Sequence, residues 1–79
     1  MSDAILCPNP GQDYCIAIVG AQHPKAILEL YNVNGRIILQ HELHQPQTRI
    51  QTASLPVGTY IYKFIVGEKV IGTGKWVKQ

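Results

Sequence analysis

The stretch LPVGTYIYKFIVGEKVIGTGKWVKQ, Leu55 to Gln79, decides the fold. From Tyr60 to Ile65 it alternates. Tyr60, Tyr62 and Phe64 fall on one face, and Ile61, Lys63 and Ile65 on the other. Lysine is rarely buried, so the aromatic face belongs to a core. Ile61 and Ile65 then sit under a neighbouring element or a partner. Gly67-Glu68 has the chemistry of a tight turn, so the stretch reads as a hairpin of two strands, Thr59–Val66 and Lys69–Lys78. Before it, Leu-Pro-x-Gly bends the chain at Gly58. The Tyr60 hydroxyl then needs a polar partner at the edge of the structure.

The rest of the chain repeats this grammar. Short apolar runs, rich in isoleucine and valine, recur about every ten residues between Gly, Pro, Asn and Asp. Five more strands are predicted: Ala4–Cys7, Tyr14–Val19, Ala26–Asn32, Arg36–Glu42 and Arg49–Thr52. In the third, Leu28 and Leu30 should face in, with Glu29 and Tyr31 outward. Asn34-Gly35 is a hairpin signal, because both residues tolerate positive φ. His23-Pro24 and Gln45-Pro46 mark loops. Pro8-Asn9-Pro10 cannot continue a central ladder, since proline donates no hydrogen bond and fixes φ. It should end the first strand and hand the chain to the other sheet. The fold class is all-β, an immunoglobulin-like antiparallel β-sandwich of about seven strands.

Size and charge exclude much. Seventy-nine residues make one domain, near the lower limit for a single core. A net charge of +2 gives no electrostatic basis for binding nucleic acid. No apolar run reaches the length of a membrane span, and Met1 to Gly20 has no signal-peptide pattern. An exported version would carry its export signal elsewhere in a longer parent, making residues 1–4 an artificial start or linker remnant and residues 5–79 the domain.

Chemistry-bearing residues are sparse. Asp3, Asp13, Glu29, Glu42 and Glu68 form no close pair for acid–base work. His41 and His44 fall on opposite faces of a strand, and Cys7 and Cys15 lack a second pair for zinc. Ser54 sits in nothing resembling a nucleophile motif. Gly72-Thr73-Gly74-Lys75-Trp76 is not a phosphate loop: Lys69 stands where the first glycine is needed and Trp76 where Ser or Thr is. No catalytic, metal or cofactor site is expected, nor a small-molecule substrate. Asp13 is expected to hold the turn by accepting backbone N–H groups. Cys7 and Cys15 are expected as free thiols, since a buried cysteine in a core position needs no partner; a bridge would need Cα atoms within about 7 Å. Lys69, Lys75 and Lys78, with Lys63 across the hairpin, form a modest basic strip. That strip serves equally as edge protection or as a docking strip on an open strand edge.

Three motifs in this order carry a resemblance. They are PNPGQD (Pro8 to Asp13), ELYNVNGRII (Glu29 to Ile38), and the Leu55–Tyr60 lead-in to a lysine-bearing last strand. The set, spanning about Ile5 to Gln79, resembles the C-terminal sorting domain of type IX secretion cargo proteins, the Bacteroidota export route. The resemblance implies a non-catalytic address tag on a larger exported protein, in transit through the periplasm to the outer-membrane surface or the medium. It implies as partners the type IX secretion outer-membrane shuttle and a sortase-like peptidase that removes the tag. It carries Pro8, Asn9, Pro10, Asp13, Asn34, Gly35, Gly58 and Tyr60 as structural motif residues. It points to Lys69, Lys75, Trp76, Val77, Lys78 and Gln79 as the segment that is read. Two departures stand out: Cys7 where the residue before Pro-Asn-Pro is often aromatic, and Cys15 with Ala17, a smaller pair than usual, in the second strand. The alternative is a generic immunoglobulin- or fibronectin-like interaction module, with Tyr31 and Trp76 as the aromatics a carbohydrate would use.

Overall fold

The computed structural model describes residues 4–20 and 25–79. The His23-Pro24 loop and the first three residues lie outside these. Seven strands follow one another: β1 (Ala4–Cys7), β2 (Tyr14–Val19), β3 (Ala26–Tyr31), β4 (Ile37–Leu43), β5 (Gln47–Gln51), β6 (Gly58–Val66) and β7 (Lys69–Lys78). All seven expected strands form. The differences are at the ends; β5, for instance, is Gln47–Gln51 rather than Arg49–Thr52. β1-β2-β5 make one sheet and β4-β3-β6-β7 the other, antiparallel throughout. This is the β-sandwich expected.

Alternation assigns the faces. Leu28 and Leu30 of β3, with Tyr60, Tyr62 and Phe64 of β6, are buried as expected. Ala4, Leu6, Cys15, Ala17 and Val19 close the core from the opposite sheet. Tyr62 and Phe64 meet edge to face, centroids 5.5 Å apart, the arrangement the ring quadrupoles favour. Tyr62 lies over Gly74, its cross-strand partner. A Cβ at Gly74 would come within 2.6 Å of the Tyr62 hydroxyl oxygen. Gly72 likewise leaves room for Ala4 of β1, whose carbonyl oxygen would be 3.2 Å from an added Cβ. The two glycines of the last strand are therefore packing devices.

Two turns set the frame. Gly67-Glu68 joins Val66 to Lys69 with Gly67 at φ 62°, a two-residue hairpin with glycine first. The β3–β4 hairpin forms at Asn34-Gly35, but not as a two-residue turn in which both residues have positive φ. Only Gly35 does, at 83°. The loop is longer, and Asn32 governs it. Its Oδ1 accepts the N–H groups of Asn34 (2.9 Å) and Arg36 (3.0 Å), while its main-chain carbonyl accepts that of Gly35. Asn32 was expected as the last residue of a strand; its side chain's competition for backbone donors ends that strand.

The corner built by three motif segments

β1 ends at Cys7, and both bonds preceding the prolines, Cys7–Pro8 and Asn9–Pro10, are cis. The prolines end β1 as expected, but the chain reaches the opposite sheet only through a bridge at Gly11, and β2 returns to pair with β1. Gly11 pairs in parallel with Lys78 of β7. Its N–H donates to the Val77 carbonyl, and its own carbonyl accepts the Gln79 N–H, both at 2.8 Å. Two residues earlier the prolines offer no N–H, and Asn9 supplies the missing groups from its side chain. Its Nδ2 donates to the Lys75 carbonyl (2.7 Å), and its Oδ1 accepts the Val77 N–H (3.0 Å). A carboxamide carries the same donor–acceptor pair as a peptide group.

Beneath this cover lies Trp76, fully buried. Its Nε1 donates to the Pro8 carbonyl at 2.7 Å, so the one polar atom of the indole is satisfied. A Cβ at Gly11 would lie 2.6 Å from the indole Cζ2. Glycine is required at that position because the ring fills the space.

The third segment, Thr52 to Tyr60, meets the same corner. The Tyr60 hydroxyl donates to the Pro56 carbonyl (2.5 Å), the polar partner expected at the sandwich edge and the arrangement of a tyrosine corner. Tyr60 also packs against Trp76, centroids 6.1 Å apart. Thr52, fully buried, donates through Oγ1 to the Gln12 carbonyl and through N–H to the Asp13 carbonyl. Lys78 is only 6% exposed, and its Nζ donates to the carbonyls of Thr52 (2.7 Å), Ala53 (3.0 Å) and Leu55 (2.5 Å). An ammonium has three donors, and all three are used.

The expected site residues therefore divide. Lys69, Lys75 and Gln79 are exposed and Val77 is half-buried. Trp76 and Lys78 are interior anchors. The four-lysine strip is corrected accordingly: Lys78 turns inward because three carbonyls of one turn replace its water shell. The open edge expected over Lys75–Gln79 is also corrected, because residues 9 and 11 occupy it. Trp76 cannot serve as an exposed aromatic for a carbohydrate. Among the described residues the Asp13 carboxylate caps no backbone donor; Asp13 takes part through its main-chain carbonyl, and Asn9 does the capping. Sequence reading missed Asn9 and Lys78 in these roles. The first signal was a carboxamide flanked by residues without N–H groups. The second was a lysine placed on the inward register of Gly72, Gly74 and Trp76.

Elsewhere the surface is ordinary. Cys7 and Cys15 are free. Cys15 shares the inward face with Ala17, whereas Cys7 follows buried Leu6 and turns outward. Burial, with a smaller effect of Cys7, pushes the Cys15 thiol up to about 11. On the outer face of the four-stranded sheet the Tyr31 hydroxyl donates to Glu29 (2.6 Å), which also accepts from Gln40. That hydrogen bond raises the Tyr31 pKa. His41 and His44 are exposed, and no metal-binding group of His, Cys, Asp or Glu occurs among the described residues. An open apolar groove of about 270 Å³ separates the β3–β4 hairpin, at Val33 and Ile38, from Pro56 and Val57.

The family model described as the secretion system C-terminal sorting domain matches residues 6–79 of the chain. No curated protein matches it.

Proposed function

The chain belongs to the family of secretion system C-terminal sorting domains, the signals of type IX export, and from that premise we propose that it carries a larger cargo protein across the outer membrane by being recognised as a folded shape. The observation that carries this reading is the corner. The Pro-Asn-Pro-Gly segment, the Leu-Pro-Val-Gly lead-in and the last strand are far apart in sequence and meet at one end of the sandwich through Trp76, Tyr60 and Lys78. The readable surface is what those anchors present: Lys75, Val77 and Gln79, flanked by exposed Pro8 and Pro10. Lys69 lies at the far end of β7 and belongs to edge protection in this reading. The partners are an outer-membrane shuttle that docks the corner and a sortase-like peptidase that removes the domain. The domain's own residues make and break no bond.

A reporter directed to the periplasm tests this, in a bacterium with the type IX machinery. Fused to the whole domain, with upstream residues supplied, it should reach the surface or medium. Fusions carrying Lys75→Glu with Gln79→Glu should stay periplasmic, whereas Glu68→Lys at the opposite end should be exported. Loss of the domain's mass from the released reporter would report peptidase removal. A folded full fusion that never leaves the periplasm would favour the interaction module, whose best feature is the Val33–Val57 groove.

A further inference from the structure

The four outward main-chain groups at the end of β7 are all taken. The Lys75 carbonyl and Val77 N–H are held by the Asn9 side chain, and the Val77 carbonyl and Gln79 N–H by the Gly11 backbone. The segment that holds them is secured differently from the strands around it. Pro8, Asn9 and Pro10 are exposed and only Gly11 is buried, against the Trp76 ring, so its attachment rests mainly on directed hydrogen bonds, the one from Trp76 Nε1 to the Pro8 carbonyl among them. Segments secured this way open at lower free energy than the core. What lies underneath is a complete strand edge beside the buried Trp76.

We propose that residues 8–11 are a displaceable cover, and that the β7 edge from Lys75 to Gln79 is a docking site for an extended polypeptide running parallel to it. The segment already seated there defines the chemistry of the occupant. It has a carboxamide side chain at the rung between Lys75 and Val77, and glycine two residues later, where Trp76 excludes any Cβ. Strand addition of this kind draws affinity from main-chain hydrogen bonds and specificity from such positions. Covered, the edge is shielded from random pairing; uncovered, it admits a partner strand. The proposal rests on the sorting-domain reading only for the partner's origin in the secretion machinery. The edge and its cover are tested in the isolated domain, so one can fail without the other.

Gly11→Val places a branched side chain against the indole and should push the cover off. Hydrogen exchange of the Val77 and Gln79 amides should then quicken about tenfold or more, while Leu30 in the core exchanges as before. A synthetic peptide of residues 8–13 should shift those two amide resonances saturably, at up to millimolar concentration, in the Gly11→Val protein. It should shift them far less in the unmodified protein, where the cover competes. The same peptide with valine in place of its glycine should not bind. If Gly11→Val unfolds the chain, Asn9→Ala replaces it: Val77 exchange should quicken about tenfold and Gln79 less. Exchange at Val77 unchanged in the folded variants, or no peptide binding once the amides exchange freely, would overturn the proposal.

Discussion

The Nζ of Lys78 is a cation that has left water for three carbonyls of one turn. The exchange holds because every donor finds an acceptor; removing the ammonium leaves the carbonyls to find water in a crowded corner. Lys78→Met should cost about 2–4 kcal/mol, read as a lower urea midpoint. An unchanged midpoint would mean that the turn closes without it. Cys15 makes a second test at this scale. Its thiol ionises near 9 when unfolded and near 11 when folded, so between those values the folded state holds more protons. Stability is therefore full below pH 9 and falls as pH rises toward 11. Cys15→Ala should show a shallower fall over that window in urea titrations at successive pH values. A thiol reagent at pH 8 should label Cys7 in the folded protein and Cys15 only after unfolding.

At the scale of elements, the hairpins show how one side chain governs a turn. Asn32 holds two N–H groups of the β3–β4 loop with one oxygen, while Asn34 sits at ordinary negative φ. Asn32→Ala should cost about 1–2 kcal/mol, and Asn34→Ala well under half of that, by thermal denaturation. Equal effects would return the hairpin to the two-residue turn expected from Asn34-Gly35. In β7 the pairing of Gly74 with Tyr62 is steric. Gly74→Val must displace the ring, at about 1–3 kcal/mol.

Across the whole molecule the last strand is structural as well as readable. A domain of this length has roughly 4–12 kcal/mol of stability. Truncating a buried aromatic such as Trp76, Tyr60 or Phe64 to alanine costs about 3–5 kcal/mol. Removing Lys75 to Gln79 takes away Trp76 and Lys78 and strips the partners from residues 8–11 and 52–55. The shortened chain should lose its cooperative thermal transition. A secretion defect in it would then report unfolding, which is why the export test uses surface substitutions at Lys75 and Gln79. A truncated chain that still unfolds cooperatively would separate the last strand from the fold.

The sequence by itself determined the family, through three motifs in order, and the local features: seven strands, the inward aromatic face of Tyr60, Tyr62 and Phe64, and the end of the first strand at Pro8-Asn9-Pro10. Each is written within a few residues, as period-two alternation, as turn chemistry, or as proline's missing donor. Only the tertiary structure decided that Trp76 and Lys78 point inward, that Asn9 rather than Asp13 does the capping, and that the closing edge is covered. These depend on pairs such as Asn9 with Lys75, Pro8 with Trp76 and Thr52 with Lys78. Such pairs lie 66, 68 and 26 residues apart. The physical reason is that a lysine's place is set by the free energy of its donors: water and three convergent carbonyls both satisfy an ammonium, and only the folded chain brings the carbonyls together.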